Sequence, residues 1–295
     1  MVLGPLSVPP KEAYWVDLSA ALRAKPDLPV PPGLDRLRRV SPDKYRCRAR
    51  GPWDEPKEHW DNCVFRAQDG EDLLYLGRIK ASPGRTRPIY PVGPTYLIAE
   101  AGAWDGVRFS TTWFFERHLG WRALHFEPSP RNFPALVSNR PGTINVQRAL
   151  CAAPLEHEMT FVDQAWPDGS GGAVGGIEEL MAPSFRTHWH PPNEFASGRS
   201  ERKPVLCGPL ACYLRRLGVR YVDLFVLDVE GAELEALRGF NWDEVRVDTW
   251  VIEADTHAPA KNEAVRAIMR ERGYRFENVG RNDWFIRNDS RIALN

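Results

Sequence analysis

The stretch from Tyr96 to Gly106, Tyr-Leu-Ile-Ala-Glu-Ala-Gly-Ala-Trp-Asp-Gly, limits the fold of this chain more than any other. Tyr96 to Ala101 reads as a buried strand, and Gly102 and Gly106 mark a tight turn. Phe109, Trp113 and Phe114 recur at helical spacing behind Ser110 and predict a helix. A strand, a glycine turn and a helix in that order open a nucleotide-binding α/β fold. Glycine is needed where backbone passes close to a ligand, because a side chain would take the ligand's space. The order Glu-x-Gly-x-x-Asp-Gly is not the dinucleotide fingerprint G-x-G-x-x-G. Acids in the turn repel a pyrophosphate. They suit a cofactor with a cationic amino-acid end, such as S-adenosylmethionine.

Arg122-Ala-Leu-His-Phe-Glu127 reads as the next strand, ending in an acid about 20 residues past the turn, where such sites accept hydrogen bonds from ribose hydroxyls. Strands are then expected at 144–150 and 158–163. Trp166 to Gly176 is glycine-rich and predicts a mobile loop. Phe185 to Lys203 reads as irregular and polar, carrying His188, Trp189 and His190. A helix follows at 210–217. Asp223 to Asp228 is an apolar run bounded by charges, as in a central parallel strand. After it come a helix at 232–237, a strand at 249–253, a helix at 261–272 and strands at 274–279 and 283–286. This alternation predicts a single doubly wound sheet.

Four segments together resemble the FkbM-type methyltransferases: Glu100-Ala-Gly-Ala-Trp-Asp-Gly106, Phe126-Glu-Pro-Ser-Pro130, Asn139-Arg-Pro141 and Asp228-Val-Glu-Gly-Ala-Glu233. The run from Val222 to Gly239 is the most specific part, and the resemblance spans about Tyr96 to Ile286. It implies a class I methyltransferase (Rossmann-like) fold, with a mostly parallel seven-stranded sheet and helices on both faces. It implies an S-adenosylmethionine-dependent transferase, directed to a hydroxyl oxygen of a carbohydrate or secondary metabolite. With the turn chemistry, it marks Glu100, Gly102, Ala103, Trp104, Asp105, Gly106, Ser110, Glu127, Pro128, Ala149 and Asp228 for the cofactor. Asp105 also suits capping of the following helix.

Methyl transfer to an alcohol needs an aligned acceptor oxygen and a group that takes its proton. Asp228, Glu230 and His257 are the candidate bases, with Glu253 and Asp255 close behind at the next strand end. Helix capping is the structural alternative for Asp228 and Glu230. A magnesium-type cation on Asp228, Glu230, Glu253 and Asp255 is a second reading, since hard cations take carboxylate oxygens. It is not the favoured one. Asp163 closes another strand. His188 and His190 lack cysteines at zinc spacing, and Trp166 and Trp189 suit either a sugar face or ordinary packing. The rival readings are a metal-assisted enzyme acting on a nucleic acid or other acceptor, and an inactive module that keeps the fold for binding.

Residues 1–94 hold about half of the 26 prolines and read as an extension packed on a catalytic domain at 95–295. Extended stretches are expected at 28–33 and 85–91, a helix at 17–24 and a strand at 72–79. Trp15, Trp53 and Trp60 argue against disorder there. Net charge is zero, which gives no overall pull toward nucleic acid or anionic membrane. No membrane-spanning run or signal peptide is evident. The five cysteines are scattered without a CxxC pair and read as reduced, with Cys47 and Cys63 the one plausible bridge. A cytoplasmic protein acting on a small-molecule or glycan acceptor is the expectation.

Overall fold

The computed structural model describes residues 65–80, 96–166 and 169–289. In chain order it has α1 (Glu71–Lys80), β1 (Leu97–Ala101), α2 (Thr112–Leu119), β2 (Arg122–Phe126), α3 (Phe133–Asn139) and β3 (Ile144–Val146). Then follow β4 (Ala149–Leu150), β5 (His157–Gln164), β6 (Gly176–Ile177), α4 (Pro183–Trp189), α5 (Pro192–Ala196) and β7 (Ser200–Gly208). The last part is α6 (Leu210–Arg216), β8 (Tyr221–Leu227), α7 (Glu233–Arg238), β9 (Arg246–Glu253), α8 (Pro259–Glu271), β10 (Tyr274–Val279) and β11 (Asn282–Arg287).

The main sheet has the order β10-β11-β9-β8-β1-β2-β3. From β9 to β3 all neighbours are parallel. β11 runs antiparallel to both β9 and β10, so the seven-stranded sheet is mixed. Alternate side chains of the central strands serve two cores, as the period of two demands. Leu97, Ala99, Phe225 and Leu227 pack with Leu214, Leu237 and Met269 of α6, α7 and α8. Ile98, Leu224 and Val251 face the other way, onto Tyr75 of α1 and Phe114 and Phe115 of α2. Each such side chain contributes on the order of 1.5–3 kcal/mol by leaving water. The register Phe126↔Ala101↔Leu227↔Ile252 ends four parallel strands at one level. That level is where an open α/β sheet offers its ligand crevice.

The structure corrects four expectations. The chain forms two sheets, because β4, β7, β5 and β6 make a second, four-stranded one. The strand expected at 144–150 is therefore split between sheets, as β3 and β4. Residues 72–79 are helical in α1: the Asp72 carboxylate accepts the backbone N–H groups of Arg66 and Ala67 and fixes the helix start, and Tyr75 and Leu76 fall on the buried face. The polar stretch 185–203 is ordered into α4, α5 and the first half of β7.

The reading of the cysteines as reduced is also corrected. Cys151 and Cys207 form a disulfide, because β4 and β7 pair side by side with Cys207 opposite Ala149. Cys212 is free. The extended stretches at 28–33 and 85–91, the helix at 17–24, Trp15, Trp53, Trp60 and the Cys47–Cys63 pair lie outside the described residues. Among the described residues no helix is long and apolar enough to cross a membrane.

Candidate active site

The turn after β1 is built against its neighbours on both sides. Gly102 and Ala103 donate their N–H groups to the Phe126 carbonyl at 3.0 and 3.2 Å, and Asp228 donates its own to Ala101 at 3.0 Å. Gly102 has φ +82°, and a Cβ there would overlap the Asp228 carbonyl oxygen. The glycine is thus required by the meeting of two strand ends. Gly106 is needed likewise: its φ is +73°, and a Cβ would press on Leu136 and Arg140.

Glu100 is buried in this turn. It accepts from Thr111 N–H (2.8 Å), Ser110 Oγ (2.8 Å) and Thr112 Oγ1 (2.9 Å), so it holds the entry to α2. Burial raises its pKa, opposed by Arg140 and by these donors. Asp105 caps the next turn through Val107 and Arg108 N–H and pairs with the Arg108 side chain at 2.7 Å.

A cavity of about 280 Å³ opens beyond the strand ends. Glu100, Gly102, Ala103, Trp104, Ser110, Glu127, Pro128, Ala149 and Asp228 all line it; Asp105 and Gly106 do not. Glu127 is 4% exposed. Its two oxygens accept Trp104 N–H and Ser129 N–H, each at 2.8 Å, and burial pushes its carboxyl up to about 8.

Under β8 and β9 the cavity floor is acidic. Asp228, Glu230 and Glu253 each bring a carboxylate oxygen within 4.8 Å of the other two. Burial, then the charge of Glu233, pushes Asp228 up to about 6. Glu230 and Glu253 are raised well above the usual carboxylate range, by burial first and then by Asp228. Glu230 sits in the left-handed region at φ +53°. One buried oxygen of Glu253 accepts no hydrogen bond among the described residues. Glu233 is turned away from the floor: it accepts Val229 and Gly231 N–H and pairs with Lys261.

Asp255 and His257 also line the cavity, but Asp255 stands outside the group of three and accepts His257 N–H at 2.8 Å. The His257 ring lies 5.8 Å from both Phe185 and His188, edge-on to the first.

Other sequence candidates lie elsewhere. Asp163 is buried in the second sheet on Ser129 Oγ (2.7 Å) and Lys203 (3.2 Å). His190 is fixed between Ser200 Oγ and the Val174 carbonyl, both at 2.8 Å, which gives it a packing role. Trp189 lines the cavity, whereas Trp166 packs on Trp104 with ring centres 6.2 Å apart.

The glycine-rich stretch expected to be mobile is closely packed from Gly171 on, whereas Gly169 is exposed with nothing within 4 Å of where a Cβ would stand. Gly171 accepts Trp104 Nε1–H at 2.8 Å, and a Cβ there would overlap Asn132 Oδ1. Sequence reasoning missed Gln68, Glu71 and Asn132, which also line the cavity. Only the strand-end position of the acids carried a signal; these three sit on segments without one.

The arrangement suits an uncharged or cationic ligand. Arg108, Arg148 and Arg281 reach the cavity, but each pairs with a carboxylate, of Asp105, Glu156 and Asp69 respectively. Compared with models of protein families, residues 100–276 match the one described as Methyltransferase FkbM domain, which is more than half of the chain. A comparison with curated proteins found no match.

Proposed function

The chain belongs to the FkbM methyltransferase family, and on that premise we propose that it is an S-adenosylmethionine-dependent O-methyltransferase of class I type. Its acceptor is a hydroxyl of a carbohydrate or secondary metabolite. One observation carries the reading: a single cavity is lined by Glu127, by the Gly102 turn and by three clustered acids beside that turn. The donor set fits this cofactor. Glu127 offers carboxylate oxygens to a ribose diol, and the described arginines that line the cavity are all paired with carboxylates, so none invites a phosphate.

When bound, S-adenosylmethionine supplies a methyl group activated by its sulfonium. The chain's own residues then bind and position. Glu127 accepts from ribose hydroxyls. Asp228, with its carboxyl near 6, is largely ionised at neutral pH and is the base that takes the acceptor's proton. Glu230 and Glu253, buried beside it on the cavity floor, orient the acceptor hydroxyl. His257 is the next candidate base. Phe185 and Trp189 line the cavity, where an aromatic face suits a sugar ring.

A second reading is favoured by the same three carboxylates, whose oxygens lie close enough for one divalent cation. Asp228, Glu230 and Glu253 would hold a magnesium-type ion there, which would lower the acceptor's pKa. Asp255 is not part of that group. The test is calorimetry with S-adenosylhomocysteine, then transfer from radiolabelled S-adenosylmethionine to hydroxylated acceptors with and without EDTA. Binding with EDTA-resistant transfer supports the metal-free enzyme, and EDTA-sensitive transfer the second reading. Binding without transfer to any acceptor leaves the inactive module as the better account, and no binding overturns the proposal.

A further inference from the structure

Residues 65–80 precede the family-matched region, yet they reach its cavity. Ala67 forms a parallel bridge with Phe109, beside the turn after β1. Phe65 stacks on Phe114 with ring centres 4.6 Å apart, and the Tyr75 hydroxyl donates to the Asp223 carbonyl at 3.2 Å. At the far edge Arg281 pairs with Asp69 at 3.1 Å, and the Asn282 amide donates to Glu71 at 2.5 Å. These contacts present Gln68 and Glu71 to the cavity.

The position selects one end of the cofactor. Sheet order places Glu127, just past the end of β2, to one side of β1, and β8, β9 and β11 to the other. With the ribose at Glu127, the amino-acid end extends toward Ser110, Asp228 and this arm. A zwitterion there needs an acceptor for its ammonium and a donor for its carboxylate. The backbone donors nearby are engaged, Gly102 and Ala103 N–H by Phe126, as are the Ser110 hydroxyl by Glu100 and one N–H each of Arg108 and Arg281, by Asp105 and Asp69. The Gln68 side chain makes no hydrogen bond among the described residues.

We propose that Gln68 and Glu71 grip the amino-acid end of S-adenosylmethionine, the Gln68 amide donating to its α-carboxylate and the Glu71 carboxylate accepting from its α-ammonium. The inference rests on the cofactor reading above. The arm is therefore part of the cofactor site of this chain, although it lies outside the matched domain.

Calorimetry on the full chain compares S-adenosylhomocysteine with 5′-methylthioadenosine, which keeps the adenosine and thioether but lacks the amino-acid end. Gln68→Ala and Glu71→Gln should each weaken S-adenosylhomocysteine by about fivefold or more, the size of one lost hydrogen bond. Gln68→Glu should weaken it further, by repelling the carboxylate. All three should bind 5′-methylthioadenosine within about twofold of wild type, which also reports that they fold. Unchanged affinity for S-adenosylhomocysteine overturns the proposal, and so does an equal loss for both ligands, which marks a structural role. A wild-type chain that binds neither ligand overturns the cofactor reading, and this inference with it.

Discussion

Gly102→Ala should destabilise the protein before it affects any ligand. At φ +82° a non-glycine residue costs about 1–2 kcal/mol. The added Cβ also overlaps the Asp228 carbonyl oxygen and lies 2.9 Å from its carbon, so the ends of β1 and β8 must part. Three backbone hydrogen bonds fix this turn, Gly102 and Ala103 to Phe126 on the β2 side and Asp228 to Ala101 on the β8 side. At about 1 kcal/mol net each, weakening them brings the total to roughly 3–5 kcal/mol. In a chain of this size 1 kcal/mol moves the melting temperature by about 2–4 °C, so a fall of roughly 6–20 °C is expected. Gly218→Ala is the control: its φ is +67° but a Cβ there meets nothing within 4 Å, and it should lose only the strain, roughly 2–8 °C. Thermal unfolding followed by circular dichroism measures both. If Gly102→Ala melts within about 3 °C of Gly218→Ala, the clash has been overstated and Gly102 serves a ligand after all.

Four other outcomes are expected. Ligand hydroxyls donate to the ionised form of Glu127, whose carboxyl stands near 8, so affinity for S-adenosylhomocysteine should rise with pH through about that value; calorimetry should find this slope absent in Glu127→Gln. The same shift has the opposite sign for stability. A carboxyl raised by folding favours the folded state most below its unfolded value and loses that contribution as pH climbs to the folded one. The urea midpoint should therefore fall from about pH 5 to pH 8, and less so in Glu127→Gln. Asp228→Asn and Glu230→Gln should cut single-turnover transfer by about 10²–10⁴ if they handle the acceptor's proton, with cofactor affinity within a few-fold; near-normal turnover in both moves the base to His257. Hydrogen exchange should show the Gly172 amide, bonded to Gln164 at 2.7 Å, protected in the free protein, and fast exchange there would restore a mobile loop.

Much of the main sheet was legible because parallel strands buried on both faces are written as short apolar runs with an acid at the end. Tyr96–Ala101, Arg122–Glu127 and Asp223–Asp228 carry that pattern, and the cavity lies at their ends. The second sheet was harder. β5 and β7 are antiparallel and half-exposed, and Pro204 lies inside β7, so the stretch carries strand-breaking and polar signals together. The helix at 71–80 was misread because Leu73 to Leu76 is a continuous apolar run, which a strand or a helix can bear equally. The disulfide and the placing of Gln68 and Glu71 at the cavity depend on neighbours far along the chain, and no local spacing encodes them. The glycines of 166–176 read as freedom, whereas from Gly171 on their lack of a side chain permits close contact.

The junction of β1 with β8 has a kinetic side. Leu97 N–H meets the Asp223 carboxylate across a sequence separation of 126, so the innermost strand pair closes a long loop, and such non-local pairing slows folding. The second sheet and the segments that cap the cavity are made within that loop. They must therefore reach a workable shape while the centre is still open, or rearrange as it closes. Asp228 gains its place beside the Gly102 turn only at that closing step. A nascent or partly denatured chain would thus hold secondary structure well before it holds a binding site, and affinity for the cofactor would recover last on refolding.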